Sequence, residues 1–114
     1  MAHEQIKDEM KAAAYEASDV WFFDYMDGED RGLCGFAWVT LWPDHKGNTR
    51  LGKAERRAFE ALGASKDWTG KAWVLWNPSS YPVQNVDTLE VGARAAADVL
   101  RSHGYKATAH SRLD

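Results

Sequence analysis

Gly35-Phe36-Ala37-Trp38-Val39-Thr40-Leu41-Trp42 is the stretch that decides how this chain folds. Side chains alternate across a strand, so Phe36, Trp38 and Trp42 point one way and Ala37, Val39 and Leu41 the other. Both sides are apolar apart from Thr40, which predicts a central strand. Pro43 ends it. Upstream, Asp27-Gly28-Glu29-Asp30-Arg31-Gly32 is rich in turn formers. The segment before that turn, Val20 to Tyr25, is β-branched or aromatic at most positions. It reads as a strand pairing with 34–42 or as the continuation of a helix. From His3 to about Ala17, the near-helical recurrence of Ile6, Met10, Ala13 and Ala17 predicts that helix.

Downstream, Asn48 or Thr49 can cap a helix running to Leu62. Leu51, Ala54, Ala58 and Leu62 form its apolar face with Phe59 beside them, and Gly63 suits a left-handed stop. A short strand follows at 71–76, ended by Asn77-Pro78. Asp87-Thr88-Leu89-Glu90 has the form of a capping box. The helix behind it buries Leu89, Ala93, Ala96, Ala97 and Leu100 and stops at Gly104. Tyr105 to Ser111 alternates as a last strand. The predicted order is α-β-β-α-β-α-β, an α/β or α+β fold of one small domain over 1–114. It comprises an N-terminal helix (1–18) and a sheet-and-helix core (20–114) with three or four strands.

The chain carries six tryptophans, an uncommon density for 114 residues. An indole needs an apolar partner and an acceptor for its N–H when buried. Either a tightly packed core or a stacking surface would use them. The core reading leads, because an alanine-rich helix can lie close on a sheet of large side chains. Trp38, Trp73 and Trp76 are then expected to be mostly buried.

Net charge is −3, unevenly spread: residues 1–50 hold five Lys/Arg and ten Asp/Glu, and residues 51–114 hold nine and seven. Neither half demands nucleic acid. The single cysteine, Cys34, excludes an intramolecular disulfide and fits a reducing compartment. No apolar run is long enough to span a membrane, and the first residues lack the character of a signal peptide. A cytoplasmic protein is expected.

Cys34-Gly35-Phe36-Ala37-Trp38-Val39, Leu75-Trp76-Asn77-Pro78 and Ser111-Arg112-Leu113-Asp114 occur in that order. Together they resemble a family of small proteins recurring in tailed-phage and prophage genomes. Its members combine a CGFAWV-like strand, a WNP-like turn, a Gln-containing loop, an alanine-rich helix and a Ser-Arg-x-Asp end. The resemblance covers about residues 33–114. It implies phage or prophage origin and action in a bacterial cytoplasm, and it brings no catalytic residue with it.

Several groupings invite chemistry. Cys34 lacks a local signature joining it to His45, His103 or His110, so a small buried thiol is the better reading than a nucleophile. Asp24, Asp27, Glu29 and Asp30 lack calcium-loop spacing and read as a solvated turn. The four histidines lack zinc-ligand spacing. Arg50, Lys53 and Arg57 share a helical face and could meet phosphates if an exposed aromatic platform such as Trp38 and Trp73 lay beside them. If the strands 34–42, 71–76 and 105–111 ran parallel, their C-terminal ends would gather His45, Asn77, Ser79, Gln84, Asn85 and Arg112 near a helix N-terminus. Such an edge suits an anionic or amide-bearing small molecule or nucleotide.

No catalytic set, metal site or cofactor emerges. The expected function is that of a non-enzymatic accessory protein binding a host or phage macromolecule, a protein before a nucleic acid. The strand-end ligand site and nucleic-acid binding through tryptophans and the 50–57 helix are the alternatives.

Overall fold

A computed structural model describes residues 2–114. Helix α1 spans His3–Tyr25, strand β1 Gly35–Trp42, helix α2 Arg50–Ala61, strand β2 Ser65–Lys66, strand β3 Trp73–Trp76, helix α3 Val86–Ser102 and strand β4 Lys106–Leu113. The small α+β fold is the one the sequence predicts, with one strand in a different place. Val20–Tyr25 continues α1, because its aromatic residues gain more from helical neighbours than from a hairpin. Trp21 stacks on Tyr25 one turn on, with ring centres 4.4 Å apart, and Phe22 meets Tyr81 edge-on at 5.6 Å. Left-handed Asp27 and Gly28 then end the helix. The fourth strand is instead the two-residue β2, too short to announce itself by alternation.

The sheet order is β2-β3-β1-β4, and every neighbouring pair is antiparallel. The parallel arrangement considered above is therefore not formed. After α1 the chain follows β-α-β-β-α-β, a split β-α-β arrangement in which β1 lies between β3 and β4. Strands β3 and β4 run the same way but never touch.

Register sorts the side chains by parity. Val39 pairs with Leu75 and Ala109, and Leu41 with Trp73 and Ala107, so these share one face. That face meets the helices. Ala93, Ala96, Ala97 and Leu100 of α3 are buried with Ala37, Val39 and Leu41, and Phe59 of α2 packs at 5.9 Å from Trp73. The alanine face thus lies against small and aliphatic residues, and Trp73 is the one indole in the core cluster.

Two helical stripes differ from the predicted ones. Helix α1 buries Ile6, Met10, Ala14 and Ser18. Helix α2 buries Gly52, Ala58 and Phe59, which turns Leu51 and Ala54 outward. Helix α1 packs chiefly along α3. At the contact, the Ser18 hydroxyl donates to the Thr88 carbonyl at 2.8 Å, directly beside Gly92. Thr49 caps α2, whereas the cap of α3 lies two residues before the predicted one, with the Asn85 side chain accepting from Thr88 N at 2.8 Å. Among the described residues no helix is long and apolar enough to cross a membrane.

Candidate functional site

The opposite face of the sheet carries no helix. Its outward positions are Phe36, Trp38, Thr40 and Trp42 on β1, Val74 and Trp76 on β3, and Lys106, Thr108, His110 and Arg112 on β4, as the register requires. Trp38 and Trp76 pair directly across the strands and stack, with ring centres 5.5 Å apart at 15°. His110 stacks on the other side of Trp38 at 5.6 Å, and Phe36 lies 5.7 Å from Trp76. The Arg112 guanidinium sits 5.6 Å over the Phe36 ring. These contacts make one continuous aromatic ladder across β3, β1 and β4.

The ladder is open to solvent. Trp76 is 56% exposed and Trp42 43%, while Trp38 and Phe36 are half-buried by their neighbours. Burial was therefore the wrong expectation for Trp76 and only partly right for Trp38. An uncovered sheet face normally carries polar side chains, so this patch is out of keeping with a purely structural surface.

The titratable residues at the strands' outward positions are Lys106, His110 and Arg112, and the Asp67 carboxylate lies at the rim of the face. Lys106 pairs with Asp44 at the sheet end, and that hydrogen bond holds its ammonium above the usual lysine range. Thr108 accepts from the Trp42 indole at 3.3 Å and lies 2.9 Å from His110 Nε2. Among the described residues, Arg112 has no ion-pair partner.

Beyond β2, the turn Asp67-Trp68-Thr69-Gly70 stands at the rim. Asp67 Oδ1 accepts from Thr69 N at 3.0 Å, the Thr69 hydroxyl at 2.6 Å and Gly70 N at 3.0 Å. The Thr69 hydroxyl above all holds the Asp67 carboxyl below its usual range. Trp68 is 95% exposed. A cleft of about 260 Å³ lies between this turn and the sheet, reaching Trp38, Trp76 and Arg112.

The residues expected to form a strand-end site are distributed differently. His45 is carried to the other end of the sheet, where its backbone N–H donates to Glu55 at 3.1 Å. Asn77 and Ser79 form a turn in which the Ser79 hydroxyl donates to Asn77 Oδ1 at 3.3 Å and accepts from Tyr81 N at 3.2 Å. Gln84 and Asn85 are braced by Asp30, whose carboxylate accepts from both backbone N–H groups at 2.9 and 3.0 Å. Asp30 is thus a structural acceptor and not merely part of a solvated acidic turn. Arg112 shares no hydrogen bond with Asn77 and faces the aromatic ladder.

A roomier groove, about 650 Å³, lies beside the α3 N-terminus between Leu33 and Leu113. Of its polar groups, Asn85 caps the helix and Glu90 holds Ser111 at 3.0 Å, while Asp87 and Arg112 also line it. Arg50, Lys53 and Arg57 are exposed on α2, in the helical layer, so the basic run and the aromatic face are on opposite sides of the molecule. Cys34 is exposed, not buried, with Sγ 3.5 Å from Gln84 Oε1. Among the described residues, no three His, Cys, Asp or Glu side chains gather as a metal-binding set. No protein-family model, curated protein or solved structure matches the chain.

What the sequence did not reveal was which side of β1 the helices would take. Alternation of large aromatic with small aliphatic residues was the available signal, since a flat alanine-faced helix fits the small side more closely.

Proposed function

We propose that this protein binds single-stranded nucleic acid on the uncovered face of its sheet, as a non-enzymatic accessory protein. The observation that carries the reading is the exposed ladder Phe36–Trp76–Trp38–His110 on adjacent strands. Every base has a π-face, so aromatic side chains on the central strands of a four-stranded sheet hold unpaired bases without reading their sequence. Arg112 and His110 flank the ladder as donors for phosphate. On β4, His110 and Arg112 face this side of the sheet and favour a polyanion along that strand, while the Asp67 carboxylate lies at the β2 rim.

Stacking leads and electrostatics follow. Each stacked base contributes about 1–3 kcal/mol, and two or three bases fit the ladder. Arg112 and His110 are the groups placed to meet phosphates, so the salt dependence is shallow, with a log–log slope of roughly −0.7 to −1.4. The expected affinity for a short oligonucleotide is about micromolar or weaker. The resemblance to phage and prophage proteins makes bacterial or phage single strands in the host cytoplasm the natural target.

Titration of a fluorescently labelled heptathymidylate, followed by anisotropy at two salt concentrations, tests this. Saturable binding that Trp38→Ala and Trp76→Ala each weaken supports it. The absence of binding overturns it, as does a concentration-dependent dimer in sedimentation that buries the same tryptophans.

A further inference from the structure

The cleft beside Trp68 is a more specific feature than the ladder. An indole that is 95% exposed has no partner within the fold. Yet its turn is firmly built: Asp67 N donates to Ala72 O at 3.0 Å, three donors meet Asp67 Oδ1, and Lys71 N donates to the Thr69 hydroxyl at 3.1 Å. A large side chain held away from the protein by an ordered turn is positioned to meet something else. The cleft it borders measures about 260 Å³, enough for a single purine. Indoles form part of its lining, and Asp67 and Arg112 are its charged groups.

We propose that this cleft seats one guanine of the bound strand, packed against the exposed edges of Trp38 and Trp76, flanked by Trp68, and read by Asp67 and Arg112. The inference rests on the single-strand reading above. A carboxylate only accepts and a guanidinium only donates. Guanine presents N1–H and an amino group along one edge and the acceptors O6 and N7 along another. Thymine and uracil offer a carboxylate only their lone ring N–H and lack an amino group. Oδ2 of Asp67 takes no part in the turn's hydrogen bonds and is the oxygen available to the base.

The test compares heptathymidylate with the same oligomer carrying one central guanine, and with hypoxanthine at that position, which lacks the amino group. The guanine oligomer is expected to bind about tenfold more tightly than the all-thymine one, within the discrimination a good polar pair provides. Hypoxanthine should lose most of that gain. Asp67→Asn keeps the Oδ1 acceptor for the turn and replaces Oδ2 with a donor; it should remove the guanine preference, read as the ratio of guanine-oligomer to heptathymidylate affinity in the same variant. Trp68→Ala alters only a solvent-held side chain and should weaken the guanine oligomer several-fold. Equal binding of the guanine and all-thymine oligomers, or a guanine preference that survives in Asp67→Asn, overturns the guanine site while the single-strand reading stands. Failure of every oligomer to bind overturns both.

Discussion

Trp38 and Trp76 face each other across β1 and β3 with ring centres 5.5 Å apart, on the side of the sheet that no helix covers. Three residues before Trp76 on the same strand, Trp73 points to the other side and is 4% exposed. One short strand therefore supplies a surface indole and a core indole, and the two are expected to respond differently to truncation. Trp73→Ala should cost about 3–5 kcal/mol, the range for emptying a large aromatic site. Trp38→Ala should cost less, about 2 kcal/mol, since Trp38 is only half-buried and loses stacking besides, yet weaken oligonucleotide binding about tenfold or more. Urea denaturation and anisotropy on both variants check this. A Trp38 variant that binds normally would remove the face from the binding role.

The contact between α1 and α3 is tight at Gly92. A Cβ there would meet the Ser18 hydroxyl, and would lie 2.7 Å from Ser79 Cβ. Alanine is the better helix former by about 1 kcal/mol, but overpacking costs typically 1–3 kcal/mol. Gly92→Ala is accordingly expected to lower the melting temperature. Ala96→Leu should do the same, because Ala96 is wholly buried under the sheet. A higher melting temperature for either variant would mean that the helices can part without loss.

The Tyr81 hydroxyl donates to Asp19 at 2.6 Å. Burial first, and then this carboxylate, push the phenol up to about 12 from its ordinary value near 10. The neutral phenol is thus favoured in the folded state. Its contribution to stability is complete below pH ~10 and is lost as pH rises from there through about 12. Thermal unfolding at a series of alkaline pH values should show a fall in that window, reduced in Tyr81→Phe. An identical fall in both proteins would assign the effect to other groups.

Cys34 is exposed at the entrance to β1. Alkylation with iodoacetamide is expected to go to completion on the native protein without unfolding it. The modified protein should keep its oligonucleotide affinity, because Cys34 precedes the ladder and its sulfur lies 3.5 Å from Gln84 in the neighbouring loop. Modification confined to denatured protein would show that the loop closes over the thiol.

The elements that could be read from sequence are those whose local signals agree with their tertiary setting. Helix α3 shows this best: Leu89, Ala93, Ala96, Ala97 and Leu100 are all buried, as their spacing requires. Strand β1 was equally plain. Val20–Tyr25 was ambiguous because strand-forming side chains there are outweighed by Trp21–Tyr25 stacking and by Phe22 against Tyr81. Strand β2 has two residues and no periodicity to read. The aromatic face was hidden for a different reason. Phe36, Trp38 and Trp42 look like core residues in any window, and only the placement of all three helices on the other side exposes them. Asp67 and Trp68 could not have been joined to that face before β2 was known to bring their turn to the rim.

Parity along β1 also has an evolutionary side. Odd positions such as Ala37, Val39 and Leu41 answer to the fold, and a change at any of them is felt by α3. Even positions such as Phe36 and Trp38 face away from the helices. Substitutions there retune what the sheet holds at less risk to folding, so descendants of this chain can diverge in binding preference while keeping one scaffold.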